Sequence, residues 1–167
     1  MKTTYYKMIT VGLLENQEDF AAYQSWESEG GNSGKTQMNT GLILLLTLDP
    51  MVEEAMTEAL LETGGTICLA RTADDAMRIV CSNSRELELA VIDFEHGSNG
   101  MTLISAINTC ADHHLPMLVL TPPGDEHGRF VARANGAAEC LAKPISTAQM
   151  TKAIINFRSK RALAQVA

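Results

Sequence analysis

The sequence predicts an α/β fold in which a five-stranded parallel sheet is covered by helices on both faces, in a doubly wound (βα)5 arrangement. Two observations support this prediction. From Gly41 onward, five short apolar runs alternate with five stretches of helical periodicity, and such alternation is typical of parallel sheets with right-handed crossover helices. The length of 167 residues and the hydrophobic content of 46% are enough for one domain with its own core.

The first strand and helix show the pattern most clearly. The continuous apolar run Leu42–Leu46 is typical of a strand buried on both faces. Asp49 and Pro50 then form an N-cap and first-turn pair, and the helical periodicity that follows stops at Gly64 and Gly65. Four more units predict strands at residues 66–70, 89–92, 117–120 and 138–142, with helices at 72–81, 100–112, 125–135 and from a capping box at 146–149 onward.

The residues before Gly41 differ in composition from the predicted domain. Residues 1–27 hold all three tyrosines and the single tryptophan, and residues 28–40 are rich in Gly, Ser, Asn and Thr, which indicates a linker. We expect an N-terminal extension at 1–27 (a short strand or helix, or disordered), a linker at 28–40, a domain at 41–160 and a tail at 161–167. Forty residues cannot form an independent core, so the extension either stays loose or packs through its aromatic residues.

Composition excludes several classes of function. A net charge of −7 argues against direct binding of nucleic acid. The longest apolar runs are too short to span a membrane and the N-terminus lacks the pattern of a signal peptide, so we expect a cytoplasmic protein. The Gly34-Lys35-Thr36 sequence lacks the strand and helix that flank a phosphate-binding loop. The four cysteines have no metal-ligand spacing, and we expect buried hydrophobic roles for all of them (Cys68, Cys81, Cys110 and Cys140).

In doubly wound sheets the ligand site lies beyond the carboxyl ends of the strands, near the point where strand order reverses. The candidate site residues are therefore those at the predicted strand ends. They are Thr47, Leu48, Asp49, Asp93, Thr121 and Lys143.

Four segments at these strand ends resemble the receiver domain of bacterial response regulators: LLLTLDP at 44–50, AVID at 90–93, LVLT at 118–121 and GAAECLAKPI at 136–145. The resemblance covers about residues 41–160 and implies a flavodoxin/CheY-like fold. It implies that Asp93 is the phospho-acceptor, that Thr121 binds the phosphoryl oxygens and that Lys143 pairs with the aspartate or its phosphate. It also implies a cis peptide bond between Lys143 and Pro144.

The chain departs from the family pattern at the metal site. The family normally has two adjacent acids at the end of the first strand, one of which binds Mg²⁺, and this chain has Thr47 and Leu48 there. Mg²⁺ prefers oxygen ligands, above all carboxylates, and Leu48 offers no side-chain oxygen. We therefore expect weakened binding of Mg²⁺.

Three further departures affect the conformational switch of the family. The span from Asp93 to Gly100 is one residue shorter than usual, Pro122 and Pro123 replace a small residue after Thr121, and Cys140 replaces an aromatic residue that changes rotamer. We therefore interpret the domain as a degenerate receiver, or pseudo-receiver: a non-enzymatic signalling module without a cofactor that acts by protein–protein interaction. Its expected partners are a histidine kinase or downstream regulator and a second copy of itself, through the surface of the fourth helix, fifth strand and fifth helix.

Several alternatives stay open at this point. The domain could be a true two-component receiver that a histidine kinase phosphorylates on Asp93 with Mg²⁺, or Asp93 could serve only as a structural ion pair with Lys143. Glu95 could replace the missing acid in a metal site with Asp49 and Asp93. A small ligand could occupy the vacated pocket beside Thr47. Solvent exposure is expected for the histidines (His96, His113, His114 and His127).

Overall fold

The computed structural model describes residues 7–11, 41–94, 99–111 and 115–166. The strands in these ranges are β1 (Lys7–Val11), β2 (Leu42–Leu46), β3 (Gly65–Ala70), β4 (Leu87–Asp93), β5 (Met117–Thr121) and β6 (Glu139–Ala142). The helices are α1 (Pro50–Thr63), α2 (Ala73–Asn83), α3 (Asn99–Cys110), α4 (Glu126–Ala134) and α5 (Thr147–Val166).

The strands form one sheet with the order β1-β3-β2-β4-β5-β6. The five strands from β2 to β6 are parallel, which confirms the predicted arrangement. β1 adds a sixth, antiparallel strand along the outer edge of β3, with Ile9 opposite Ile67. It lies in the N-terminal extension, where the sequence leaves strand, helix and disorder open. The rest of that extension and the predicted linker at 28–40 lie outside the described residues.

Helices cover both faces of the sheet because alternate side chains of each central strand point to opposite faces and both sets are apolar. On one face, apolar side chains of α2, α3 and α4 form one buried cluster with those of the strands, which includes Ile79, Ile104 and Leu44. On the other face, α1 and α5 form a second cluster with the strands, which includes Met56, Ile154 and Leu45. This is the doubly wound arrangement that the sequence predicts.

Side-chain caps fix the helix starts close to the predicted positions. Asp49 accepts a hydrogen bond from the Met51 amide (2.9 Å) at α1, and Asp125 accepts one from the Gly128 amide (2.8 Å) at α4. The capping box at α5 is also present, because Ser146 Oγ accepts from the Gln149 amide at 3.2 Å and the Gln149 side chain accepts from the Ser146 amide at 3.0 Å. α5 continues to Val166, past the predicted domain end at 160.

Arg158 joins α5 to the ends of two other elements. Its guanidinium donates to the carbonyl oxygens of Thr63 (2.7 Å) and Gly64 (2.8 Å), at the C-terminal end of α1, and pairs with Glu88 of β4. The Glu88 side chain is largely buried, so the ion pair also compensates a charge inside the fold.

The expectation that all four cysteines are buried is wrong for the two cysteines in α2 and α3. Cys68 and Cys140 are buried in the strands, whereas Cys81 is exposed and Cys110 is half-buried. The reason is their position on the helices, since Cys81 follows the buried residues Ile79 and Val80 and so points away from the sheet. Within the described residues, no helix is long and apolar enough to cross a bilayer.

Candidate functional site

The crevice of the sheet lies between β2 and β4. These strands are neighbours, but the chain leaves β2 through α1 toward β3 on one side, and leaves β4 through α3 toward β5 on the other. Strand order therefore reverses between them, which opens a crevice at their carboxyl ends. Thr47 directly follows β2 and Asp93 is the last residue of β4, so both lie at this crevice.

A hydrogen bond connects these two residues. The Thr47 hydroxyl donates to Oδ2 of Asp93 at 2.7 Å, and the same hydroxyl oxygen accepts from the Asp49 amide at 3.0 Å. Both side chains are buried, with only 1% of the Asp93 side chain exposed. One oxygen of the aspartate is therefore bound by the neutral Thr47 hydroxyl, at a position where the family that the sequence resembles normally has an acid.

The other oxygen of Asp93 faces Lys143, which follows β6. Lys143 Nζ lies 2.9 Å from Oδ1, as an ion pair rather than an aligned hydrogen bond, and 3.7 Å from Oδ2 of Asp49. The predicted ion pair between Asp93 and Lys143 is therefore present. The peptide bond between Lys143 and Pro144 is cis, as the resemblance implies.

The described residues next to Asp93 form a poor site for a divalent metal ion. The Asp49 carboxylate caps α1 through Oδ1 and faces Lys143 through Oδ2, and Leu48 is 65% exposed without a side-chain oxygen. Mg²⁺ in proteins needs several oxygen ligands, usually including carboxylates. Here an ammonium group lies beside both aspartates, and the described residues contain no cluster of three His, Cys, Asp or Glu side chains suited to a metal.

Thr121 and Cys140 lie farther along the same edge. Thr121 ends β5 fully buried, and its hydroxyl makes a long hydrogen bond of 3.5 Å to the Leu141 carbonyl oxygen, while its own carbonyl oxygen accepts from the Lys143 amide at 2.8 Å. Cys140 is buried in β6 with its sulfur 3.7 Å from the Arg129 carbonyl oxygen, and burial raises the pKa of its thiol. Cys140 therefore packs under α4 instead of pointing into the crevice.

Sequence reasoning missed one residue at the rim of the site. Arg71 directly follows β3, donates to the Thr47 carbonyl oxygen at 3.0 Å and pairs with Glu53 of α1 at 2.6 Å. Its place directly after β3 is the available signal, because the strand ends are where candidate site residues are expected. Arg71 holds the backbone of Thr47 and thus supports the hydroxyl that contacts Asp93.

Some predicted residues lie outside the described part of the chain. Glu95, His96, His113 and His114 are among them, so the alternative metal site with Glu95 stays a prediction. His127, at the start of α4, is exposed as expected.

Comparison with known proteins agrees with this geometry. The sequence model of one protein family, the response regulator receiver domain, matches residues 43–155. The chain belongs to that family. Among curated proteins, the response regulator protein FleR of Pseudomonas aeruginosa is 27% identical over 124 residues, covering 74% of this chain and 25% of that protein. The chain thus spans about a quarter of the length of the curated relative that it matches.

Solved receiver domains have the same fold. The receiver domain protein of Clostridium thermocellum superposes with a TM-score of 0.65 at 22% identity, covering 74% of this chain and 98% of that one. A response regulator of Thermotoga maritima superposes with a TM-score of 0.63 at 19% identity, covering 72% and 98%. At these identities the likeness concerns the fold alone.

Proposed function

We propose that this receiver domain is a pseudo-receiver: a non-enzymatic signalling module that binds other proteins and is not controlled by Mg²⁺-dependent phosphorylation of Asp93. The observation that carries the proposal is the 2.7 Å hydrogen bond from Thr47 to Asp93, in a site where Thr47 and Leu48 replace acids. The proposal includes a location in the cytoplasm, as the sequence predicts.

The chemistry of phosphoryl transfer supports this reading. A carboxylate nucleophile must reach the phosphorus atom, and the charge on the transferred group must be neutralised as it develops. Here one carboxylate oxygen is bound by the Thr47 hydroxyl and the other faces the Lys143 ammonium. Among the described residues, no acid besides Asp49 lies beside Asp93 to bind a metal that would neutralise the phosphoryl oxygens, so we expect slow transfer or none.

Amide NMR of the labelled protein with Mg²⁺ and beryllofluoride, a mimic of the phosphoryl group, tests the proposal. We expect the amide resonances of Thr47, Asp93, Thr121 and Lys143 to stay unchanged. The matched variant is Thr47→Asp/Leu48→Asp, which restores two adjacent acids at the end of β2. We expect this variant to gain Mg²⁺-dependent shifts at the same residues, and to lose them again when Asp93→Asn is added.

A different result in the wild-type protein contradicts the proposal. If beryllofluoride and Mg²⁺ shift these resonances in the wild-type chain, and Asp93→Asn abolishes the shifts, the domain is a phospho-acceptor. One observation favours this second candidate: Lys143 lies 2.9 Å from Asp93 with Thr121 at the end of the next strand, as the family resemblance implies for phosphorylation by a histidine kinase.

The protein-binding part of the proposal concerns the surface of α4, β6 and α5. Phe130 of α4 is 72% exposed, and exposed aromatic side chains are frequent anchors at protein interfaces. We propose that this surface binds a second copy of the chain. A histidine kinase or downstream regulator is the other proposed partner.

Sedimentation velocity over a range of protein concentrations tests this self-association. Phe130→Glu should shift the equilibrium toward monomer, because it places a charge in the proposed interface. The matched control is Leu61→Glu, which changes a side chain that is 65% exposed on α1, across the sheet from α4. Equal behaviour of the two variants would contradict the proposed surface.

A further inference from the structure

Two cysteine side chains meet at the contact between α2 and α3. The sulfur atoms of Cys81 and Cys110 lie 3.1 Å apart, which is closer than the usual van der Waals contact of two sulfur atoms. Both residues are in the thiol state. Cys81 belongs to the last turn of α2, and Cys110 is the last residue of α3.

The two thiols differ in access to solvent, which gives each of them a distinct role. Cys81 is exposed, so a dissolved reagent can reach it directly. Cys110 is half-buried and packs against the core beneath α2 and α3, and its sulfur faces that of Cys81. This combination of one accessible thiol and one adjacent thiol is the arrangement of attacking and resolving cysteines in disulfide exchange.

We propose that Cys81 and Cys110 form a redox-active dithiol, which small-molecule disulfides such as glutathione disulfide oxidise to an intramolecular disulfide. The Cys81 thiolate attacks one sulfur of glutathione disulfide, forms a mixed disulfide and releases one molecule of glutathione. The Cys110 thiolate then attacks the Cys81 sulfur and displaces the second glutathione. The protein loses two electrons and two protons, and one glutathione disulfide is reduced to two glutathione thiols.

The other two cysteines are poor competitors for this reaction. Cys68 is buried between the sheet and its helices, and burial, with a smaller effect of Glu86, raises the pKa of its thiol to about 11. Cys140 is buried in β6 under α4. Because the thiolate is the reacting species and must be reached by the reagent, oxidation should select the pair on α2 and α3.

The disulfide would bind together the C-terminal ends of two helices and close a loop that contains β4 and Asp93. It lies at the opposite end of the domain from Asp93, because the helices start at the carboxyl edge of the sheet and end at the other edge. Closing a loop restricts the unfolded chain, so oxidation should raise the thermal midpoint of unfolding.

The experiment equilibrates the full chain in buffers of graded glutathione and glutathione disulfide, blocks remaining thiols with an alkylating reagent and identifies cross-linked peptides by mass spectrometry. The control variant Cys81→Ser/Ser82→Cys keeps four cysteines but moves the exposed thiol to the adjacent position of α2, which is also exposed. Since adjacent helix positions point in different directions, its thiol no longer faces Cys110.

The oxidising strength of each buffer is the concentration of glutathione disulfide divided by the square of the glutathione concentration. We expect the wild-type chain to form the Cys81–Cys110 disulfide at a value of this ratio at least about tenfold lower than the control variant needs to form its disulfide. We also expect Cys110→Ser to hold glutathione as a stable mixed disulfide on Cys81. Equal oxidation of the wild-type chain and the control, or disulfides only between separate chains, would overturn the proposal. So would an unchanged thermal midpoint when the wild-type pair is fully oxidised.

Discussion

The charge of the buried Asp93 carboxylate is compensated at both of its oxygens. Lys143 lies 2.9 Å from one oxygen, and Thr47 donates to the other at 2.7 Å. Burying a carboxylate is unfavourable unless it is paired and hydrogen-bonded, so both neighbours contribute to the stability of the native state. The two contacts connect the ends of β2, β4 and β6.

Removing the cation of this pair should destabilise the fold. Lys143→Met leaves the buried Asp93 carboxyl without its cation, and we expect the free energy of unfolding to fall by about 2–3 kcal/mol. Urea unfolding measures the change, with Lys152→Met, at an exposed position of α5, as the matched control. Adding Asp93→Asn to Lys143→Met should recover part of the loss because it removes the stranded charge. If the double variant loses as much free energy of unfolding as the two single variants together, Asp93 and Lys143 are not coupled and the explanation is wrong.

Cys68 should make stability depend on alkaline pH. The folded-state pKa of its thiol is raised by burial from 9.0 to about 11. A raised pKa contributes stability that is complete below the unfolded value and is lost as the pH rises from 9 toward 11, by roughly 2–3 kcal/mol at most.

Urea unfolding of the reduced protein at pH 8 to 11 tests this dependence. In Cys68→Ala, the fall in the free energy of unfolding between pH 9 and pH 11 should be smaller by roughly 2–3 kcal/mol. This holds whatever the stability of the variant at neutral pH. Cys81→Ala, which removes an exposed thiol instead of a buried one, is the matched control. A parallel slope in Cys68→Ala would show that other groups cause the dependence.

At the scale of elements, Arg158 connects α5 to α1 and β4. Arg158→Ala removes donors to two carbonyl oxygens and leaves the largely buried Glu88 without its cation. We expect a loss of about 2–4 kcal/mol in the free energy of unfolding, measured in urea. Arg161→Ala, one helical turn later and exposed, should change stability little. Glu88→Gln should partly rescue Arg158→Ala, and no rescue would contradict the ion-pair explanation.

The elements that the sequence predicts well are those with local signals. The apolar run of β2, the cap Asp49 and the capping box that begins at Ser146 depend on neighbours in the chain, and the structure has them where predicted. The sequence leaves β1 open because its pairing partner β3 is more than fifty residues away. The family resemblance indicated the ion pair of Asp93, but nothing local indicated that the Thr47 hydroxyl contacts the carboxylate. The proximity of Cys81 and Cys110 likewise depends on how α2 packs on α3.

At the scale of the molecule, β1 completes one edge of the sheet. Deletion of residues 1–40 should leave a domain that unfolds cooperatively, because residues 41–160 contain a buried apolar cluster on each face of the sheet. It should also expose the uncharged edge of β3, and unpaired strand edges promote association. We expect lower stability in urea and more self-association by light scattering.

A second variant separates the strand from the rest of the extension. Replacing residues 7–11 by Gly-Ser-Gly-Ser-Gly in the full chain should reproduce the self-association of the deletion. If this variant stays monomeric under conditions where the deletion variant associates, β1 does not protect the edge. If the deletion variant fails to unfold cooperatively, the predicted domain boundary at 41 is wrong.

The contacts of Asp93 affect how a cell could use the proposed module. A receiver that switches by phosphorylation carries information in the fraction of molecules that are modified. With its acceptor carboxylate held by Thr47 and Lys143, this domain would present the same crevice in every copy. Its output toward partners would then follow gene dosage, synthesis and degradation, so that the abundance of the protein, rather than a kinase, sets the strength of its effect.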